Sequence, residues 1–398
     1  MEPLKIAAEY HPEIPDLIVR CSGHITSANA EEFKEQVDAL LKQYPDAAMI
    51  VDFDGVQGIT SAGLRVLIHA KKINEGLRVI NTSSAVYEVF DVTGFTAIIP
   101  VTRRVRTLSV DGCEKIAQGA AGAIYRLDED TIVKVFTPEE TLRSIRLESE
   151  TAKKAFFYGI PTAISFGTVR VGDAYGIQYE MIKARTFSSV LKDDPEHFGA
   201  HVQDYTALLR QLHTTRDSDG AFVSMKEIYH EAIDYSARYF EADEVRKFKA
   251  LIDSIPDRDT LIHGDFHPGN IMASGEGLML IDLTRMGVGH PIFDLFEMAA
   301  SHINLATSTP EIAEAFLGIP PETIIRLWNE TLKAYFPEKT GEEIARIEKQ
   351  LRGYARIANV IAPYIGQSLT EEQVLFYIGE AKTHLLPIID GLIGSVDW

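Results

Sequence analysis

A chain of 398 residues that is 45% hydrophobic and 24% charged can bury more than one core, so two or three domains are the first expectation. Its formal net charge of −19 disfavours nucleic acid and anionic lipid as partners of the whole surface, while leaving room for a local basic groove around a phosphate ligand. No apolar run approaches the roughly 18 residues of a membrane span, and the opening MEPLKIAAEYHPEIP lacks the basic and apolar regions of a secretory leader. Two isolated cysteines, Cys21 and Cys113, cannot build a disulfide framework or a thiolate metal site, which suits a reducing cytoplasm.

The first hundred residues alternate strand-like and helix-like segments. LKIAAEY and DLIVRCSG have β character, and Ser27 or Asn29 is positioned to cap the amphipathic run AEEFKEQVDALLKQY. AMIVDF reads as a buried strand, SAGLRVLIHAKKINE as a helix, LRVINT as a strand, SAVYEVFDVTGF as a helix closed by Gly94, and AIIPV as a last strand. This pattern predicts a small α/β domain with a mixed sheet over residues 1–107. TRRVRTLSVDGCEK interrupts the rhythm with charge, Ser, Asp and Gly, and marks a linker at 108–114.

A β-rich stretch follows. GAIYRL and TIVKVF flank Asp128-Glu129-Asp130 as a hairpin, Leu142 to Phe157 has helical periodicity, and AISFGTVRVG and AYGIQYEMI close a small lobe at 115–183. From 184 to 398 helices dominate, with a hairpin-like island around 261–284. No internal repeat is visible.

Three features of this region carry chemistry. IAQGAAGAIY puts Gly119 and Gly122 at a hairpin turn, where small residues let backbone N–H groups approach phosphates, although such a turn is usually only a turn. Lys134 lies inside an apolar strand and needs a buried partner. Glu148, on one helical face with Ala152, Ala155 and Gly159, is the preferred carboxylate and Glu150 the alternative. The third feature is His263-Gly264-Asp265-Phe266-His267-Pro268-Gly269-Asn270, polar groups in an apolar neighbourhood. Extended, the segment would aim His263, Asp265 and His267 one way, as metal ligands. Turned at Pro268-Gly269, it offers Asp265 as an acid–base or orienting group, with Asn270 and the nearby Asp282 as oxygen ligands for Mg²⁺.

HGDFHPGNIM followed by LIDLT resembles the Brenner motif and metal-binding aspartate of aminoglycoside phosphotransferases, choline kinases and related kinase-fold enzymes, over roughly residues 115–398. The resemblance implies a bilobal fold with a β-rich lobe and a helical lobe. It implies that Asp265 orients or deprotonates an acceptor hydroxyl, that His263 braces the loop, and that Asn270 and Asp282 hold Mg²⁺. It implies further that Asp294 in HPIFDLFEM supports the loop, that Lys134 meets the α- and β-phosphates of ATP or GTP, and that Glu180 and Met181 form the hinge holding the base. His213 in LLRQLHTT reads as a packed helix residue and matches a common family position. A GxxxxGK[ST] phosphate loop and a GxGxxG strand–helix turn are both missing from the sequence.

VDFDGVQGITSAGLRVLIHA puts Thr60 and Ser61 at a strand–helix junction, where an N-cap is the plain reading and a phosphate the more specific one. With GHITSANAEEF and DVTGF, the segment resembles the STAS domain of anti-sigma factor antagonists, in which the serine equivalent to Ser61 is phosphorylated to switch a protein partner. Thr60 stands where that family often has aspartate. The expectation is an α/β STAS domain joined to an α+β kinase-like domain that phosphorylates a small hydroxylated acceptor, with an acidic surface that suits a cationic one. The alternative is a signalling switch that senses nucleotide or phosphorylates Ser61.

Overall fold

The computed structural model describes residues 3–11, 16–119, 122–137, 141–365 and 369–398. The chain divides into two compact units, Met1–Leu108 and Ser109–Trp398.

In the first unit, strands Lys5–His11, Asp16–Ile25, Ala48–Ile59, Arg78–Thr82 and Val101–Arg103 lie side by side in chain order. The first pair is antiparallel and the others are parallel, so the sheet is mixed. Period-two patterning decides which face is covered: Leu17, Val19 and Cys21, with Met49, Val51 and Phe53, are buried among Phe33, Val37 and Leu67 from helices Ala30–Gln43 and Ser61–Ile73. The second helix lies close on the sheet because residue 63 is glycine. A Cβ there would come within 2.5 Å of Ile25 Cγ2 and 2.8 Å of Ile59 Cγ1.

Two local expectations shift. AIIPV is not the last strand; a turn at Phe95–Ala97 precedes it and the strand starts at Val101. Pro100 has no N–H for a ladder, and only its carbonyl joins the sheet, accepting from Val79 N at 2.9 Å. Asn29 occupies the cap position of Ala30–Gln43 without bonding to the helix. Its side chain braces the preceding turn instead, accepting from Thr26 N at 2.8 Å and donating to His24 O at 2.9 Å.

In the second unit, Glu114–Gly119, Gly122–Arg126 and Thr131–Phe136 form a meander, with Ala174–Glu180 and then Ser165–Val171 beyond it, all pairs antiparallel. Helix Leu142–Phe157, capped by Thr141 accepting from Ser144 N, packs on this sheet. The rest is mainly helical around one large core that includes Tyr205, Tyr229, Phe293, Trp328 and Tyr354. Among the described residues five short strands interrupt it: Thr260–Ile262 pairs with Gly287–Gly289, and Ile271–Ser274 lies between Arg185–Thr186 and Gly277–Leu280. The loop 263–270 is therefore fixed at both ends by strands, with the helix Ile292–Met298 behind it. Among the described residues no helix is long and apolar enough to cross a membrane.

Candidate active site

Lys134 emerges from the central strand of the β-rich lobe with its side chain 16% exposed, and its Nζ lies 2.8 Å from Glu148 Oε1 and 3.6 Å from Asp282 Oδ1. Glu148 is buried on the facing helix and also accepts from Tyr179 Oη at 3.2 Å. The Thr284 hydroxyl lies within hydrogen-bonding distance of both Glu148 Oε2 (2.9 Å) and Asp282 Oδ1 (2.7 Å). Burial works against the Lys134 charge, but Glu148 and Asp282 outweigh it and hold the ammonium above its ordinary range. Burial likewise opposes the Asp282 carboxylate, and Lys134 with Thr284 brings it below the usual carboxylate range. Glu150 takes no part. It pairs with Lys153 on the exposed face of the same helix.

The loop 263–270 is held from behind by Asp294. This fully buried carboxylate accepts Gly264 N–H at 2.7 Å on one oxygen, and His263 N–H at 2.9 Å and His213 Nε2 at 3.1 Å on the other. Burial would raise its pKa, but the His213 bond and the neighbouring donors carry it below the usual range. Gly264 has φ +76°, and a Cβ there would sit 2.5 Å from the Arg285 carbonyl oxygen, so only glycine fits the turn. The His263 ring is engaged on both edges: Nδ1 accepts Asp265 N–H at 3.2 Å, and Nε2 faces Ile281 O at 3.3 Å as donor. Asp265 is left with a half-exposed carboxylate, steadied by Asn270 Nδ2 at 3.1 Å. His267 Nδ1 accepts Gly269 N–H at 3.1 Å, and burial lowers its pKa, so the ring is a neutral brace.

This geometry rejects the cluster of His263, Asp265 and His267 as a metal site, because both His263 nitrogens and His267 Nδ1 already have backbone partners. Among the described residues no group of three or more His, Cys, Asp or Glu side chains is arranged to hold a metal ion. The residues fit a hard, oxygen-liganded cation instead. Asn270 gives its amide N–H groups to Asp265 O and Oδ2, leaving Oδ1 as an acceptor. Asp282 Oδ1 faces Lys134 and Thr284, leaving Oδ2. Two protein oxygens plus phosphate oxygens and water is a donor set that suits Mg²⁺. Asp282 has φ +57°, a conformation that aspartate tolerates better than most side chains.

The model of the phosphotransferase enzyme family matches residues 112–319, and that of the STAS domain matches residues 5–108. The chain belongs to the phosphotransferase enzyme family. Similar solved structures include the ADP-bound aminoglycoside phosphotransferase APH(2'')-Ib, 16% identical over 71% of this chain and 94% of that one, with a TM-score of 0.46. A choline/ethanolamine kinase family protein from Mesorhizobium loti is 15% identical over 71% and 92%, with a TM-score of 0.43. An anti-sigma factor antagonist from Mycobacterium paratuberculosis is 19% identical over 25% and 86%, with a TM-score of 0.23. Among curated proteins none matches.

In the phosphotransferase domain, other sequence candidates lie as follows. Gly119 and Gly122 pair across the hairpin whose tip lies outside the described residues. Gly122 is demanded by the sheet, since a Cβ there would meet Val135 O at 2.0 Å. The N–H groups of Glu180 and Met181 are already donated, to Ile164 O at 3.0 Å and Asp130 O at 2.7 Å, so neither is a free donor for a base. Thr284, Tyr179 and Arg285 were not among the candidates. Thr284 stands two residues after Asp282, a spacing that could have drawn attention. Arg285 is buried against its charge, but Glu297, 2.8 Å away, and Tyr229 hold it protonated, and its backbone lies against Gly264.

In the STAS domain, Ser61 is the first residue of its helix and is exposed, as is Thr60 before it. Thr60 occupies the N-cap position, as the plain reading expects, but its side chain makes no bond to the helix.

Proposed function

We propose that this phosphotransferase moves the γ-phosphate of a nucleoside triphosphate, ATP or GTP, to a hydroxyl group of a small molecule in a Mg²⁺-dependent reaction. The supporting observation is the joining of two halves: Lys134, paired with Glu148, reaches Asp282 at 3.6 Å, while Asn270 is tied to Asp265 at 3.1 Å. Lys134 binds the non-transferred phosphates and offsets the charge that builds on the leaving diphosphate. Asp265 accepts a hydrogen bond from the acceptor hydroxyl and aligns its oxygen in line with the γ-phosphorus. As the new O–P bond forms and the bridging P–O bond breaks, the hydroxyl proton passes to the Asp265 carboxylate. Asn270 and Asp282 would hold Mg²⁺, which when bound screens the phosphate oxygens. Asp294 and His263 keep Asp265 in place. The domain boundaries proposed are 1–107 for the STAS domain, a linker at 108–114, and a kinase domain at 115–398 with lobes meeting at 183/184.

The test is nucleotide turnover with Mg²⁺ against a panel of amino sugars, amino alcohols and nucleosides, run alongside Asp265→Ala and Asp282→Ala. Turnover should fall by roughly 10²–10⁴ in each variant while circular dichroism stays unchanged. Retained turnover would overturn the assignment.

A second reading rests on the exposed, uncapped Ser61. The kinase domain phosphorylates this serine in its own or another chain, and the STAS domain then changes its hold on an anti-sigma-factor-like partner. Labelled ATP followed by phosphopeptide mapping decides it: label on Thr60 or Ser61 supports this reading, and an unlabelled STAS domain beside a reactive small-molecule acceptor rejects it.

A further inference from the structure

The helix Gly341–Tyr354 carries Arg346, Lys349 and Arg352 at intervals of three residues, so all three share one side, and Arg356 stands in the turn that follows. Together they line a cleft of about 660 Å³ whose other wall is Ile388, Gly391 and Leu392. The walls come close because residue 353 is glycine; a Cβ there would lie 2.8 Å from Leu392 Cδ2. Four cations therefore gather in one concavity of a chain whose formal charge is −19. The lining has one carboxylate, Glu348, which accepts from Trp328 Nε1 at 3.3 Å.

The cations are not used up by the fold. Among the described residues Lys349 and Arg356 have no ion-pair partner. Arg346 pairs with Asp397 at 3.1 Å with both side chains more than half exposed, a contact that solvent and salt weaken. Arg352 is fixed by Asn304, donating Nε to Oδ1 at 3.1 Å and accepting Asn304 Nδ2 on its carbonyl at 3.3 Å. That clamp orders the helix that carries the row, so the cations are partly preorganised for a ligand.

We propose that this cleft is a second ligand site that binds a small linear polyanion, a molecule with several phosphate groups in a chain. From Arg346 to Arg352 the row extends about 9 Å, longer than one phosphate and matched by a run of three or more. Guanidinium groups favour phosphate because their paired N–H donors meet two oxygens at once, and a concave cleft of this size suits a small molecule better than a flat protein surface does. Lys134, Asp265 and Asp282 do not line this cleft, and the proposal does not depend on the phosphotransfer reading.

The experiment is titration calorimetry of the full chain with sodium tripolyphosphate in EDTA, comparing the wild type with Lys349→Gln/Arg356→Gln and with Lys134→Ala. Tripolyphosphate should bind the wild type and the Lys134→Ala protein alike, more weakly as NaCl is raised, and about tenfold or more weakly in the double variant. A second double variant, Arg346→Gln/Lys349→Gln, at exposed positions, should show the same loss and keeps the test open should the first unfold. Absence of binding to the wild type overturns the proposal. So does binding lost in a Lys134→Ala protein that circular dichroism shows to be folded but kept in both double variants, which would assign it to the nucleotide site. A glutamate-rich peptide that binds more tightly than tripolyphosphate, and is lost in the same double variants, also overturns it in favour of a protein-docking surface.

Discussion

Asp294 accepts the backbone N–H of Gly264 at 2.7 Å from a fully buried position, so a side chain on one helix fixes the main chain on which Asp265 is mounted. Its other oxygen takes the His263 N–H and His213. Asp294→Ala would leave two buried N–H groups and a buried imidazole without an acceptor. Each unsatisfied group costs about 1–3 kcal/mol, so urea denaturation should show a loss of about 3 kcal/mol or more. Asp294→Asn retains one acceptor and should lose less. A loss under about 1 kcal/mol in the alanine variant would contradict this account.

Gly264→Ala tests the same turn from the other side. The added methyl would sit 2.5 Å from the Arg285 carbonyl oxygen at a φ of +76°, so either the loop or the Arg285 strand connection must move. The strain alone costs about 1–3 kcal/mol. The thermal melt should shift down, and turnover should fall more than stability explains, because Asp265 follows Gly264 directly. Unchanged turnover in a folded Gly264→Ala protein would show that the loop has slack.

Glu148 and Glu150 make a paired comparison. Glu148 is buried against Lys134, Tyr179 and Thr284, whereas Glu150 reaches an exposed Lys153. Removing one member of a buried pair costs about 3–5 kcal/mol, and surface changes stay within about 0.5 kcal/mol. Glu148→Gln should therefore weaken both folding and nucleotide binding, with Glu150→Gln close to wild type. Equal effects would break the assignment of the lysine partner.

That pair also shows what was legible in the sequence. A lysine in an apolar strand announces that it needs a carboxylate, and helical periodicity separates residue 148 from residue 150 by face. HGDFHPGN and LIDLT were readable because glycine, proline and charged residues at fixed spacing leave few conformations open. Thr284, Tyr179 and the Arg285–Glu297 pair were not readable, since their roles come from distant segments meeting, and nothing local distinguishes such a threonine or tyrosine from a packed one. The strand expected at AIIPV failed for a local reason: Pro100 lacks an N–H, so an apolar run through it cannot carry the ladder and the strand begins at Val101. Gly122 had two local explanations, and the close approach to Val135 favours the structural one.

Burial drives the His290 pKa down to about 4 and that of His302 to about 3, with Arg258 and His213 adding to the first and His267 to the second. Both folded values lie below the ordinary value near 6.5, so the unfolded chain takes up these protons first. The stability they contribute is complete above pH ~6.5 and is lost as pH falls toward the folded values, by about 1.4 kcal/mol per pH unit for each histidine. Asp282 and Asp294, depressed below the usual carboxylate range, lose their contributions only below pH ~4. Urea denaturation at intervals between pH ~7 and ~4.5 should show a steeper decline in the wild type than in His302→Gln, by about one histidine's slope. Parallel lines would mean that His302 titrates normally.

The STAS domain offers a comparison of two helix starts. Ser83 caps the helix Ser84–Val92 by accepting Val86 N–H, while Thr60 occupies the same position before Ser61–Ile73 and accepts nothing. Ser83→Ala should cost about 1 kcal/mol and Thr60→Ala a few tenths at most. The unsatisfied N–H groups and positive end of the second helix then remain available to a negative charge at the neighbouring exposed position, so Ser61→Asp should stabilise by about 0.3–1 kcal/mol at low ionic strength, with the gain fading in salt. Thermal melts of the full chain followed by near-ultraviolet dichroism will not separate the two units, so the readout is hydrogen exchange of the first-turn amides of each helix. Faster exchange in Ser83→Ala, unchanged exchange in Thr60→Ala and slower exchange in Ser61→Asp is the expected pattern. A large increase in Thr60→Ala would show that its hydroxyl caps the helix in solution, and the room for an anion at Ser61 would be gone.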